Sequence, residues 1–151
     1  MPRKAQSHRL RAGRHSEAGR IYHVSITCHH RHANFAQLGQ GRCAVRALRA
    51  VSDYADTLCF VVMPDHLHWL LQLRRDTSLS GTVQKAKSVA TRYWRLEEGT
   101  KEPLWQRGFH DRALRKDDDV VAVAKYIIAN PLRAGLVRSV RDYSLWDAVW
   151  L

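Results

Sequence analysis

The sequence predicts an α+β domain in which helices cover one antiparallel β-sheet. Residues 21–27 alternate between apolar and polar side chains, and residues 58–63 form an apolar run that leads through a Pro-Asp turn into a second alternating segment. Such runs indicate strands, and the short turn between the last two indicates a hairpin. The segments between these strands repeat their apolar residues at helical spacing, which predicts the covering helices.

The first predicted strand, residues 21–27, has one apolar and one polar face. Tyr22, Val24 and Ile26 lie on the apolar face, and His23 lies on the polar face. The apolar row predicts that this strand is half-buried. We expect His23 to have a structural role, although the polar face could border a site.

The strand that follows the Pro-Asp turn carries two histidines on one face. Leu67 and Trp69 belong to its apolar face, whereas His66 and His68 are two residues apart and therefore lie side by side on the other. Two neighbouring imidazoles form half of a metal site. From the spacing alone, a pair of histidines on a solvated sheet face explains the pattern equally well.

Two long helices are predicted between the strands. Residues 41–57 have an apolar stripe with arginines outside it, and residues 77–98 begin with Ser and Thr candidates for the N-cap and end before Gly99. The segment 104–115 then mixes aromatic and cationic side chains. It is either an irregular strand whose rings fill the core or a surface whose rings stack on unpaired bases.

A third helix is predicted after the three aspartates at 117–119, whose charges suit a helix N-terminus. Pro131 disfavours a helical residue before it, so the helix should end near Asn130. The apolar residues of this helix cluster on one side, and Tyr126 falls almost opposite them. Because Asn130 is one turn further on, the pattern predicts an exposed tyrosine with an amide above it.

Length and composition limit the classes of protein. A chain of 151 residues is long enough for one compact domain. The formal charge of +11 and the pI near 10.2 make nucleic acid the first partner to consider, before a membrane. Three cysteines without a CxxC pair argue against a zinc finger or a disulfide framework and predict a cytoplasmic protein. No apolar run approaches the length of a membrane span.

The positive charge is expected in two places. Residues 1–20 carry many arginines and no periodic apolar pattern, which predicts a flexible basic arm before a folded domain of residues 21–151. Within the domain we expect one basic face that holds nucleic-acid phosphates. The candidate residues of that face are Lys85, Arg92, Arg107, Arg112 and Arg115.

Three segments together resemble the single-tyrosine HUH transposases of the IS200-like superfamily, and most closely the REP-associated tyrosine transposases. They are MPDHLHWLL, LWQRGFHDRALR and KYIIANPLRAGLV, in the order of the family. The resemblance implies a ferredoxin-like fold and cutting of single-stranded DNA through a 5′-phosphotyrosine. It further implies that Tyr126 is the nucleophile and that His66, His68 and Asn130 are the metal ligands. Insertion-sequence relatives commonly carry Gln at the third ligand position, so Asn130 is a departure towards a shorter side chain.

The resemblance also implies a cofactor and a substrate. The cofactor is Mg²⁺ or Mn²⁺, and the imidazoles favour Mn²⁺. The substrate is single-stranded DNA with a REP-like hairpin, on which a monomer or homodimer acts in the cytoplasm in association with the nucleoid.

Two other functions are compatible with the sequence. A domesticated protein of this family binds a DNA or RNA hairpin without cutting it. Alternatively, the chain is a basic RNA-binding domain in which His66 and His68 are structural. Stabilisation by Mn²⁺ distinguishes a metal site from this last alternative, because a bound ion raises the melting temperature.

Overall fold

The computed structural model describes residues 19–150. The predicted basic arm, residues 1–20, therefore lies almost entirely outside the described residues and stays a prediction. The helices and strands are β1 Ile21–Thr27, α1 Leu38–Ala50, β2 Ala55–Met63, β3 His66–Leu73, α2 Leu79–Glu98, β4 His110–Ala113, α3 Val120–Ile128, α4 Asn130–Arg133 and β5 Trp146–Ala148.

The strands form one sheet in the order β4-β1-β3-β2-β5, and every neighbouring pair is antiparallel. The order of the first four strands, with α1 after β1 and α2 after β3, is the ferredoxin-like arrangement, and β5 extends its edge. The predicted α+β class and ferredoxin-like sheet are thus confirmed. In the described range, no helix is long and apolar enough to cross a bilayer.

One face of the sheet carries the main hydrophobic core. Val24 and Ile26 of β1 and Leu67, Trp69 and Leu71 of β3 are at most 2% exposed and pack beneath α1 and α2. The indole Nε1–H of Trp69 donates to the hydroxyl of a threonine in β2 at 2.9 Å. The alternation of apolar residues along β1 and β3 therefore selects the face that the helices cover.

The boundaries of α1 differ from the prediction. This helix ends at Ala50, not at 57, because a turn follows it and the chain from Ala55 onwards pairs with β3. Residues 55–57 of the predicted helix therefore belong to β2, because they pair with β3. The prediction for α2 is close, since Ser78 caps its N-terminus and Gly99, with a φ of 64°, ends it.

The aromatic segment 104–115 becomes an extended connection followed by β4. Trp105 pairs with Cys28, and its indole ring lies edge-on to Phe35 with the ring centroids 5.4 Å apart. Its Nε1–H donates to the carbonyl of Lys87 at 3.2 Å. Trp105 therefore packs against the core, as the first of the two interpretations of this segment expects.

The other face of the sheet is covered in part by α3. Ala124 and Ile127 are buried against Cys59 of β2 and Leu70 of β3. Asp119 caps the helix, because its carboxylate accepts from the amide N–H of the residue three positions on, at 3.1 Å. Since Leu70 follows His68 by two residues, α3 lies across the face that carries the histidines.

Candidate active site

His66 and His68 begin β3 and point to the face opposite the main core. Their Nε2 atoms are 3.1 Å apart, and their rings meet edge to face. Two nitrogen ligands that each lie about 2.1 Å from one ion, at an angle of about 90–110°, are about 3.0–3.4 Å apart. The distance between these two nitrogens is therefore the distance expected of two ligands of one ion.

The other ring nitrogen of each histidine has a partner of its own. The Nδ1–H of His66 donates to the carboxylate of Asp65 at 2.7 Å, and Nδ1 of His68 lies 3.0 Å from Nε2 of His23. Ser25 Oγ is also 3.5 Å from Nδ1 of His68. When the Nδ1 atoms are donors to these partners, both Nε2 atoms keep a free lone pair. Such contacts orient metal-binding imidazoles in known sites.

Burial disfavours the charged forms of His68 and His23. It lowers the pKa of His68 to about 3, with smaller contributions from the charges of His23, His66 and Arg133. The pKa of His23 falls to about 4, first through burial and then through the charge of Arg112. Because a metal binds the neutral imidazole, these shifts favour a cation over a proton at His68.

Asn130 is the predicted third ligand. Its Nδ2 donates to the carbonyl of Ile127 at 2.7 Å, which leaves Oδ1 as the atom that can bind a cation. Within residues 19–150, no three His, Cys, Asp or Glu side chains are arranged to hold a metal. Two imidazole nitrogens and one oxygen would fit a divalent ion such as Mn²⁺, and that oxygen would come from the amide of Asn130 or from a phosphate of the substrate.

Tyr126 lies on the exposed side of α3, as the helical pattern predicts. Its side chain is 66% exposed, and the guanidinium of Arg133 stacks 3.7 Å from the centroid of its ring. The charge of the same arginine contributes to the low pKa of His68. Arg133 thus stacks on the predicted nucleophile, and its charge acts on the predicted ligand His68. The helix that carries Tyr126, α3, covers part of the same sheet face as the histidines.

The five predicted phosphate-binding cations do not share one face. In the register of β1 and β4, Arg112 is opposite His23 and so belongs to the histidine face. Arg92 and Arg107 line a groove beside α2, which covers the other face of the sheet. Lys85 is exposed on α2 outside the lining of that groove, and Arg115 is exposed after β4. The structure therefore does not bring these five residues to one face of the sheet, and their role in binding phosphates stays a prediction.

Sequence reasoning missed several neighbours of the histidine pair. His23, expected to be structural, contacts His68 directly, and Asp65 and Arg133 were given no role. The polar face of β1 was the available signal for His23, but its contact depends on the pairing of β1 with β3. The position of Arg133 depends on the turn at α4, which the sequence pattern does not specify.

Comparison with protein families and curated proteins gives consistent matches. The family model described as "Transposase IS200 like" matches residues 18–130. A protein of Haemophilus influenzae that is named as a REP-associated tyrosine transposase is 29% identical over 98 residues, which are 58% of this chain and 56% of that protein. The match therefore spans little more than half the length of this relative.

Solved structures share the fold. A REP-associated tyrosine transposase bound to a REP hairpin superposes with a TM-score of 0.72 at 24% identity and covers 88% of this chain and 79% of its own. A Deinococcus radiodurans protein described as a transposase gives 0.55 at 17% identity, with 76% and 93% covered. A bacterial tRNA(His) guanylyltransferase-like protein gives 0.54 at 12% identity, with 86% and 64% covered. Because this last protein has another activity, the family match rather than the fold identifies the chain. The chain belongs to the IS200-like transposase family.

Proposed function

We propose that this transposase is a metal-dependent transesterase that cuts and rejoins single-stranded DNA at hairpin-forming elements. The observation that carries the proposal is the pair of Nε2 atoms of His66 and His68, which are 3.1 Å apart on the sheet face that is partly covered by α3, the helix of the exposed Tyr126. An exposed phenol and a potential cation site are the groups that a phosphoryl transfer needs.

The reaction replaces one phosphodiester bond by another. The Oη atom of Tyr126 gives up its proton and attacks the phosphorus, the bond from phosphorus to the 3′-oxygen breaks, and the 3′-oxygen leaves and takes up a proton. The DNA is then attached to Tyr126 through its 5′-phosphate. Attack by a 3′-hydroxyl reverses these steps, so rejoining needs no external energy source and no second nucleophile.

Each residue of the site has a role in this scheme. His66, His68 and Asn130 would hold Mg²⁺ or Mn²⁺, which supplies a Lewis acid for a non-bridging phosphate oxygen. Asp65 and His23 keep the two imidazoles in the tautomer that presents Nε2. Arg133 holds the ring of Tyr126 and adds a positive charge where phosphate oxygens must bind.

The expected partner is a DNA hairpin. The net charge of +11 suits a nucleic acid, and the structurally similar REP-associated transposase is bound to a REP hairpin. The proposed substrate is therefore single-stranded DNA that contains an imperfect palindrome of this type.

The direct test is a cleavage assay on labelled single-stranded hairpins taken from palindromic repeats that flank the gene. With Mn²⁺ or Mg²⁺, the wild-type protein should form a protein–DNA adduct that survives denaturant, and EDTA or Tyr126→Phe should abolish it. Tyr93→Phe is the matched control, because Tyr93 also lies beneath an arginine, with the guanidinium of Arg46 5.4 Å from its ring centroid. This variant should form the adduct at the wild-type level.

Two outcomes would contradict the proposal. An adduct that persists in Tyr126→Phe would assign the nucleophile to another residue. Tight, salt-sensitive binding without an adduct under either metal would support the alternative, a protein that binds hairpins without cutting them.

A further inference from the structure

The loop that follows β1 has a backbone conformation that few side chains adopt. It contains a single 3-10 turn at His29–Arg31. His30 and Arg31 have φ angles of 52° and 54°, in the left-handed region that favours glycine. The Cβ atom of an L-residue approaches the following carbonyl oxygen there, so two such residues in succession store strain. Strain of this kind persists only where the surrounding structure holds it, and it concentrates at functional sites.

Hydrogen bonds hold this loop against the turn that precedes His66. The amide N–H of Cys28 donates to the carbonyl of Asp65, and that of Phe35 donates to the carbonyl of Pro64, both at 2.9 Å. Cys28 and Phe35 are at most 1% exposed, so both ends of the loop are anchored in the core. The loop and the turn therefore form one unit, and a side chain of the loop keeps a fixed place relative to the start of β3.

The side chain that the strained turn presents to the site is Arg31. Its guanidinium Nη1 lies 3.6 Å from Oδ2 of Asp65, whereas Oδ1 of the same carboxylate accepts the Nδ1–H of His66 at 2.7 Å. The two carboxylate oxygens thus have different partners. Asp65 therefore connects the guanidinium of the loop to the imidazole of the predicted ligand.

Orientation explains the strained turn better than stability does. The side chains of Arg31 and Asp65 are 61% and 35% exposed, and an ion pair this open to water contributes little to the free energy of folding. The torsion that turns a carboxylate about its Cβ–Cγ bond has a broad minimum, so the single hydrogen bond with His66 leaves the carboxylate plane free to tilt. A second partner on the other oxygen fixes that plane.

We propose that Arg31 is a positioning residue of the histidine site. Its guanidinium holds the carboxylate of Asp65, which keeps the proton of His66 on Nδ1 and directs the lone pair of Nε2 towards a divalent cation. The strained turn places the guanidinium there. The inference rests on the proposed function for the cation, and it concerns the metal affinity of the chain before any DNA binds.

The sign of the effect separates this role from simple electrostatics. Arg31 is itself a cation, so by Coulomb repulsion alone its removal would strengthen the binding of Mn²⁺. A positioning role predicts the opposite, because without the guanidinium the carboxylate tilts and the imidazole of His66 loses its fixed orientation. A loss of metal affinity on removal of a positive charge is therefore specific to the proposed contact.

The test measures the Kd of Mn²⁺ for the full chain without DNA, from the electron paramagnetic resonance signal of free Mn²⁺. Arg31→Gln should raise the Kd by roughly 3- to 10-fold, which is less than the effect of removing a direct partner of a ligand. Arg31→Lys keeps a charge beside Asp65 and should recover part of the affinity. The matched control is Arg74→Gln, which breaks another exposed ion pair, 2.7 Å from Asp56, just beyond the other end of β3. It should leave the Kd unchanged.

Two further variants separate positioning from a structural role. In an Asp65→Ala background, Arg31→Gln should cause no further loss of affinity, since the carboxylate through which it acts is absent. Arg31→Gly relieves the strain, because glycine adopts a positive φ freely. It should bind Mn²⁺ as weakly as Arg31→Gln, while its metal-free melting temperature stays at or above that of the wild type. A fall in the metal-free melting temperature of both variants would make Arg31 a structural residue of the loop and would overturn the inference.

A Kd that is unchanged or lower in Arg31→Gln would also overturn it, as would an additional loss of affinity in the Asp65→Ala background. These outcomes are distinguishable from a failure of the proposed function. If Arg31→Gln binds Mn²⁺ more weakly than the wild type but no protein–DNA adduct forms, the proposed function fails and this inference stands. If the adduct forms but Arg31→Gln binds Mn²⁺ as the wild type does, only this inference fails. If the wild type binds no Mn²⁺, both fail.

Discussion

At the scale of single residues, the site depends on the groups that orient the two histidines. Asp65 binds His66 at 2.7 Å and lies 3.6 Å from the guanidinium of Arg31. It therefore links the turn before β3 to the loop after β1. Because the carboxylate fixes the Nδ1–H tautomer of His66, its loss should loosen the ring and weaken the binding of a cation at Nε2.

We expect Asp65→Ala to lower the affinity for Mn²⁺ by roughly 10- to 100-fold, the usual effect of removing such a partner. The measurement is a titration of the melting temperature with Mn²⁺, since a bound ion stabilises the folded state by an amount that grows with the logarithm of its concentration relative to Kd. The control is Asp56→Ala, which removes a carboxylate of β2 that is 2.7 Å from Arg74. If the rise in melting temperature begins at the same Mn²⁺ concentration in both variants, Asp65 has no role in orienting His66.

At the scale of helices and strands, the packing of α1 against the C-terminal segment explains a glycine in the helix. A Cβ atom at Gly41 would lie 2.4 Å from a methyl carbon of Leu145. The carbonyl of Leu145 accepts from the amide of Val62 at 2.9 Å, so the segment before β5 has little room to move. Gly41 therefore allows the C-terminal segment to close against the helix.

Gly41→Ala should lower the free energy of unfolding by about 1–3 kcal/mol, because overpacking outweighs the gain of about 1 kcal/mol in helix propensity. Gly39→Ala, in the same helix, should be neutral or stabilising, since its Cβ would meet the mobile end of Glu97. Denaturant unfolding measures both effects. In the double variant Gly41→Ala/Leu145→Ala, the change in the free energy of unfolding should differ from the sum of the two single changes. Additive changes would exclude this contact as the cause.

At the scale of the whole molecule, the half-buried His68 and His23 make stability depend on pH. In the metal-free folded protein, the pKa values of His68 and His23 are about 3 and about 4, below the ordinary value of 6.5. As the pH falls below 6.5, His68 and His23 take up protons in the unfolded chain, whereas in the folded protein they stay neutral. Stability is therefore fully present above about pH 6.5 and is lost progressively towards pH 4.

The loss should be at most about 1.4 kcal/mol for each histidine and each pH unit. Urea unfolding in EDTA at several values between pH 7.5 and pH 5 measures it. His23→Gln should show a weaker dependence, because it removes one of the two groups. A stability that stays constant or rises as the pH falls over this range would show that the two rings are not held neutral in the folded protein.

Local sequence patterns determined much of this protein. Alternation along β1 and β3 placed Trp69 in the core and His66 and His68 on the opposite face, because side chains in a strand alternate in direction whatever they pack against. Helical spacing likewise predicted that Tyr126 is exposed, and Gly99 predicted that α2 ends just before it. These properties depend on a few neighbouring residues, and so the sequence alone was sufficient for them.

Only the tertiary structure decided which residues from different elements meet. The contact of His23 with His68 requires the register of β1 on β3, and the stacking of Arg133 on Tyr126 requires the turn into α4. The end of α1 at Ala50 likewise follows from strand pairing and not from its apolar stripe. The strand register, the turns and the division of the cations between two faces depend on packing between residues that are far apart in the sequence. No local pattern specifies that packing.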